Sequence, residues 1–194
     1  MSFFKKLFNK QSSNEEEAKE QEVNLSLDDA FVHHFIKKGG KFLYCISDGE
    51  VVNNLKKILT ENNWNVVTCI EESIMTYLKK TKVGTSSEFN TSNPFFTTCE
   101  HLISDNGDIL FSSNQLSTHK IASLTDDFIV FAKTSQLVKD TGQGLTGIKT
   151  NCKESIPTNI SAVKNYSPKK DDDNFLNYGN SNSKNLYLLL LEDL

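Results

Sequence analysis

Read for the spacing of its apolar positions, the chain changes character at Ser26. Leu27, Ala30, Phe31, His34 and Phe35 share one helical face, and Ser26 with Asp29 three residues on has the form of an N-cap. Gly39-Gly40 stops that helix near Lys38. The run FLYCI then reads as a buried strand. Ser47 with Glu50 makes a second capping box, and Val51, Val52, Leu55, Ile58 and Leu59 give the stripe of a second helix ending in the turn-prone ENN. NVVTCI is the next strand, and Glu72 to Lys80 a third helix.

This alternation predicts an α/β domain, a mostly parallel sheet flanked by helices with right-handed crossovers. After a polar loop over Lys82 to Asn93, short apolar runs dominate: CEHLIS, DILFSS, DFIVFAK, NISAV and LYLLLL. Each is bounded by turn residues, so the second half is read as strand-rich. SDNGDILF predicts a tight turn at Asn106-Gly107, a dipeptide that takes positive φ cheaply. LYLLLL falls far below the roughly 20 apolar residues of a membrane span and reads as a central strand covered on both faces.

The first 24 residues lack such periodicity. An aromatic-basic patch, Phe3, Phe4, Leu7 and Phe8 with Lys5 and Lys6, runs into a polar, acidic stretch that cannot bury enough surface to fold alone. The expected division is an N-terminal tail over 1–24 and one domain over 25–194, within the usual size of a single domain. The patch is too short for firm membrane anchoring, and no transmembrane segment is expected.

Charge and composition narrow the partners. The net charge is −4 and Arg is absent, so all 21 basic residues are Lys. Nucleic acid attracts strongly basic faces, and the planar Arg fork grips phosphate or carboxylate in two places; a nucleic-acid partner is therefore not expected. Cys45, Cys69, Cys99 and Cys152 stand far apart with no C-x-x-C pair and no secretory leader ahead of them. That predicts reduced thiols in a cytoplasm, three of them small hydrophobes inside apolar runs.

Of the histidines, His101 beside Glu100 and Cys99 is the cluster to test. Neighbouring strand residues point to opposite faces, however, so no metal site is expected and no cofactor is assigned. Gly142, Gly144 and Gly147 in TGQGLTG fit G-x-G-x-x-G, but the strand DFIVFAK ends too early and the intervening SQLVKD is helix-like. A flexible or interrupted helix accounts for these glycines. In NYSPKKDDD the aspartates are placed to cap a helix opened by FLNY. Ser167, Lys169 and Lys170 there are suited to a phosphate or carboxylate.

SDNGDIL and NYSPKKDDD also carry a resemblance to the LUD domain, the family of lactate-utilisation protein C. SDNGDIL resembles the family's A-E-T-G-T-I at Gly107 and Ile109, with Asp105 in place of the glutamate. NYSPKKDDD lies without gaps on G-P-S-R-T-A-D-I-E, matching at Ser167 and Asp171, with Asp173 replacing glutamate. The same register puts Gly179 on the first glycine of G-V-H-G-P and LYLLLLED on the closing strand. The motif's arginine is Pro168 here, its threonine is Lys169, and H-G-P has become Ser181, Asn182 and Ser183.

The resemblance implies a fold similar to the sugar-isomerase, CoA-transferase and formyltetrahydrofolate cyclo-ligase superfamily. It also implies a role in oxidising L-lactate beside iron–sulphur partner proteins. The first expectation is an accessory or assembly subunit of such a system, in the cytoplasm. The alternatives are a cyclo-ligase or acyl-transfer type of enzyme binding an anionic small molecule, and a degenerate interaction module contacting partners through residues Met1 to Glu22. Candidate ligand residues are Asp105, Asn106, Gly107, Ser167, Lys169, Lys170, Asp171 and Gly179, with no catalytic residue assigned. The geometric expectation is that the Gly107 and Ser167 turns converge on one mouth of the sheet.

Overall fold

A computed structural model of the chain describes residues 25–151, 156–167 and 182–193. The expected tail over 1–24 lies outside these residues, as does the expected helix opened by FLNY.

The first helix, α1, spans Leu27–Lys37 with Ser26 as N-cap accepting from the Asp29 amide. It ends where the sequence says it should. Gly39 takes φ 91° and donates to Ile36 O, while Gly40 donates to Phe35 O, the paired bonds of a Schellman stop. Strand β1 (Lys41–Cys45) leads to α2 (Asp48–Glu61), whose Ser47 cap accepts from Glu50 N. The Glu50 carboxylate accepts from Ile46 N rather than from Ser47 N, so the expected reciprocal box is shifted by one residue. Strand β2 (Val66–Thr68) and α3 (Glu72–Lys79) complete the alternating first half.

The second half corrects several sequence readings. The polar loop contains a short strand, β3 (Gly84–Ser86), and Phe95–Thr97 forms β4. Cys99 lies between β4 and β5 (His101–Ile103) rather than inside a strand. A hairpin joins β5 to β6 (Asp108–Phe111), and a four-residue helix α4 (Ser113–Leu116) follows. After β7 (Asp127–Lys133), the segment read as helix-like is a 3-10 turn over Thr134–Gln136 and a two-residue strand, β8 (Leu137–Val138), held by pairing to β5. The glycine-rich TGQGLTG belongs to one continuous helix, α5 (Thr141–Asn151). A Cβ on Gly144 would sit 2.9 Å from Leu110 Cδ1, and one on Gly147 would sit 2.7 Å from His101 Nε2. The glycines thus permit close packing of α5 on the hairpin. Strands β9 (Ser161–Val163) and β10 (Asn185–Leu191) complete the described elements.

Two sheets result. The larger has the order β1-β10-β7-β4-β2-β3 and every pairing in it is parallel. The smaller, β8-β5-β6-β9, is mixed. β7 shows why the layers stack as they do. Phe128, Val130 and Ala132 point into a core shared with α1 and the smaller sheet, while Ile129 and Phe131 point into a core shared with α2 and α3. Alternate residues of a doubly covered strand serve opposite faces. β10 behaves likewise, with Leu186, Leu188 and Leu190 on the first face and Leu189 on the second. Among the described residues no helix is long and apolar enough to cross a membrane.

Candidate functional site

The hairpin turn and the Ser167 turn meet at the last turn of α1. Gly107 takes φ 73° and donates to Ile103 O, and Asn106 Oδ1 accepts from Asp108 N at 2.9 Å. This tip presses on helix backbone. A Cβ on Gly107 would lie 2.6 Å from Phe35 N and 2.8 Å from His34 C. His34 Nδ1 lies 2.9 Å from Ser104 O, adding a side-chain tie between helix and hairpin.

Tyr166 joins the second turn to the first. Its hydroxyl donates to Gly107 O at 2.6 Å and lies 3.0 Å from Val163 O; its amide donates to Lys38 O, and its ring stands 4.4 Å from that of Phe35. Burial pushes the Tyr166 phenol well above its ordinary pKa, with the charge of Asp108 acting in the same direction, so the hydroxyl remains a donor. Gly39 then faces Ser167, where a Cβ would collide with Ser167 Oγ. Ser183 Oγ donates to Ser167 O at 2.7 Å, and Asn165 pairs with Ser183 in a parallel bridge.

Gly40 precedes the first residue of β1 and Lys184 the first residue of β10, so the meeting point lies at the edge where the parallel strands begin. Charge is distributed unevenly there. Lys38 Nζ donates to Asp108 Oδ1 at 2.6 Å, Asp108 being almost wholly buried. Lys184 is buried too, with Nζ donating to Leu124 O and to the exposed Asp126 carboxylate. Burial pulls its ammonium below the ordinary lysine pKa, and the Asp126 charge partly offsets this. Lys41 lies over the Tyr187 ring and donates to Asn185 Oδ1.

Of the predicted ligand residues, Asp105 and Ser167 are exposed, Asn106 is half-buried and Gly107 buried. Lys169, Lys170, Asp171 and Gly179 lie outside the described residues. Sequence reasoning treated Gly39 as a helix stop and passed over Tyr166 inside the quoted motif. Those are the residues that fasten the two turns together.

The opposite edge, where the parallel strands end, was not singled out in the sequence. There Glu71 accepts from Thr97 Oγ1 and from both the amide and the hydroxyl of Thr98. Glu100 accepts from Ser112 Oγ and Asn114 Nδ2, and Gln136 donates to Cys99 O. Asp193 accepts from the Thr134 hydroxyl and from the Ser135 amide and hydroxyl. Although slight desolvation works against it, these hydrogen bonds together with the Lys133 charge hold the exposed Asp193 carboxyl below its ordinary pKa.

The thiols are not poised for chemistry. Burial raises Cys45 above its ordinary value, Cys69 to about 11 and Cys99 well above 9. Cys152 lies outside the described residues. Among the described residues no three His, Cys, Asp or Glu side chains gather to hold a metal ion. A cavity of about 210 Å³ opens at the end of α2 beside Trp64 and Asn65, lined by none of the predicted site residues.

Comparisons with known proteins bear on the family and the fold. The sequence model described as LUD domain matches residues 29–191. Among solved structures, a DUF162 family protein from Deinococcus radiodurans is similar in fold. Its TM-score is 0.60 at 15% identity, over 87% of this chain and 99% of that one. A search of curated proteins finds no significant match.

Proposed function

The chain belongs to the LUD domain family, and from that premise we propose that it is an accessory or assembly subunit in the oxidation of L-lactate or a related hydroxy acid. Its setting is the cytoplasm, beside iron–sulphur proteins that carry the electrons. Residues 25–194 act as one domain and residues 1–24 as a tail. The observation that carries this reading is the family match over residues 29–191, since the family is one of lactate utilisation. The test is affinity purification of the full chain from its native cell grown on L-lactate. Recovery of iron–sulphur proteins in fixed proportion is the expected result, and their repeated absence under mild lysis counts against the reading.

The meeting of the two turns favours a second reading, in which Asp105, Asn106 and Gly107 with Ser167, Lys169, Lys170, Asp171 and Gly179 bind an anionic small molecule. Asp105 or Asp171 then serves as general acid or base in cyclo-ligase or acyl-transfer chemistry. A thermal-shift screen with nucleotides, CoA esters, folates and hydroxy acids separates the two readings. Stabilisation by one class, lost in Ser167→Ala, supports a ligand site; no stabilisation by any of them removes it.

A further inference from the structure

The ends of β2 and β4 mark the place where the large sheet divides. The chain leaves β2 for α3 on one face and leaves β4 for the smaller sheet on the other. Adjacent parallel strands whose connections part in this way leave a crevice at their carboxyl ends, the usual ligand position in open α/β sheets.

Here a carboxylate already stands at those strand ends. Glu71 Oε1 accepts from Thr97 Oγ1 at 2.6 Å and from Thr98 N at 2.8 Å, and Oε2 accepts from Thr98 Oγ1 at 2.5 Å. Three donors, one of them backbone, converge on two oxygens of one planar group, which is the arrangement a small carboxylic acid requires. Thr97 is buried, while Glu71 and Thr98 are half-buried and within reach of solvent.

Glu71 also has an alternative place to go. By position it is the N-cap of α3, yet its side chain makes no bond to the helix it precedes. A free helix start offers unpaired amides and a favourable dipole to a carboxylate. Turning back to its own helix therefore exchanges one set of donors for another.

We propose that the Thr97 and Thr98 donors form a binding subsite for a small monocarboxylate, and that Glu71 occupies it in this conformation as a tethered stand-in. An incoming carboxylate takes the three donors as Glu71 turns back to cap α3. One charge suits the site better than several. Glu100 stands nearby, its charge and that of Glu71 both raising the Cys99 thiol after burial has done so, and it is held in place by Ser112 and Asn114. The assignment rests on these donors and not on the accessory-subunit reading, so either can fail alone.

The test uses the full chain, with acetate, pyruvate and L-lactate as probes at constant ionic strength and chloride and methanesulfonate as controls, read by thermal shift and calorimetric titration. While Glu71 holds the donors only a minor fraction of molecules is open to a ligand, and if that fraction is about one tenth or less, removing Glu71 should tighten carboxylate binding by about tenfold or more. The expected result is weak, saturable binding of at least one carboxylate to wild type. Binding should tighten about tenfold or more in Glu71→Ala and fall by at least as much when Thr98→Val is added. If Glu71→Ala does not fold, Glu71→Gln serves, since an amide competes less well for three donors. Absence of carboxylate-specific binding to wild type overturns the proposal. So does its failure to tighten in either Glu71 variant, or its survival in the Thr98→Val combination.

Discussion

Replacing Gly107 with alanine tests whether the hairpin tip is clamped against α1 as the structure describes. At φ 73° an L-residue is in the left-handed region, a cost of about 1–2 kcal/mol. The added methyl would meet Phe35 N at 2.6 Å and His34 C at 2.8 Å. Both are helix backbone and cannot rotate away, so α1 and the hairpin must separate by several tenths of an ångström. Strain of this kind costs about 1–3 kcal/mol, and alanine returns roughly 0.4–1 kcal/mol by restricting the unfolded chain.

The net expectation is a loss of about 2–4 kcal/mol, or very roughly 4–16 °C in Tm for a chain of this length. Urea unfolding followed by the single tryptophan, Trp64, reads the difference directly. Asp105→Ala, at the exposed neighbouring position, should change stability by no more than about 0.5 kcal/mol. A Gly107→Ala loss below about 1 kcal/mol with an unchanged slope would refute the clamp, because the left-handed backbone alone accounts for that much.

Four further outcomes follow from the same geometry. Gly39→Ala should cost less than Gly107→Ala, about 1–2 kcal/mol, because the nearest atom to its methyl is the rotatable Ser167 Oγ; calorimetry on both variants checks the order. Tyr166→Phe keeps the ring but strands the buried Gly107 O, for a loss of about 1–3 kcal/mol in denaturant unfolding. Lys184→Met should lie within about 1 kcal/mol of wild type at pH 7, because relief of the buried charge offsets the stranding of Leu124 O while Asp126 stays exposed to water, whereas Lys184→Ala should lose about 2–4 kcal/mol to a cavity. The folded pKa of Lys184 lies below 10.5, so the penalty for its charge is full at neutral pH and fades as pH rises toward 10.5; any advantage of the Met variant should shrink over that window. Cys69, raised to about 11, works in the opposite sense: its contribution is intact below pH 9 and is lost between about 9 and 11, so native Cys69 should resist alkylation at pH 8 until the protein is unfolded, as site-resolved mass spectrometry would show.

Much of the first half was legible because its boundaries are local chemistry. Ser26 and Ser47 accept amide bonds whatever the rest of the chain does, and Gly39 allows the backbone to turn left-handed at the end of α1. β10 was legible for a different reason, since a run as apolar as LYLLLL has few environments other than a doubly covered strand. β8 was not. Leu137 and Val138 become a strand only by pairing with Leu102 and Ile103, a contact across more than thirty positions that no local pattern records. Nor does hydrophobic alternation say which sheet a strand joins, so the smaller mixed sheet went unforeseen.

The candidate site divides along the same line. Asn106-Gly107 announces a turn by itself, and Ser167 announces a polar bend. That both rest on the end of α1 depends on Tyr166 reaching Gly107 O and on Gly39 having no side chain. The Glu71 arrangement was invisible for a related reason. Thr97 and Thr98 looked like ordinary strand residues until folding brought a glutamate from 26 and 27 positions away.

The rate of L-lactate oxidation in cells lacking this chain is the measurement that bears most closely on its proposed place in a lactate-oxidising assembly. The expected result is loss of lactate-dependent electron transfer and of growth on L-lactate, restored by the wild-type chain and poorly by Gly107→Ala. Unchanged lactate oxidation in the deletion strain would contradict the claim.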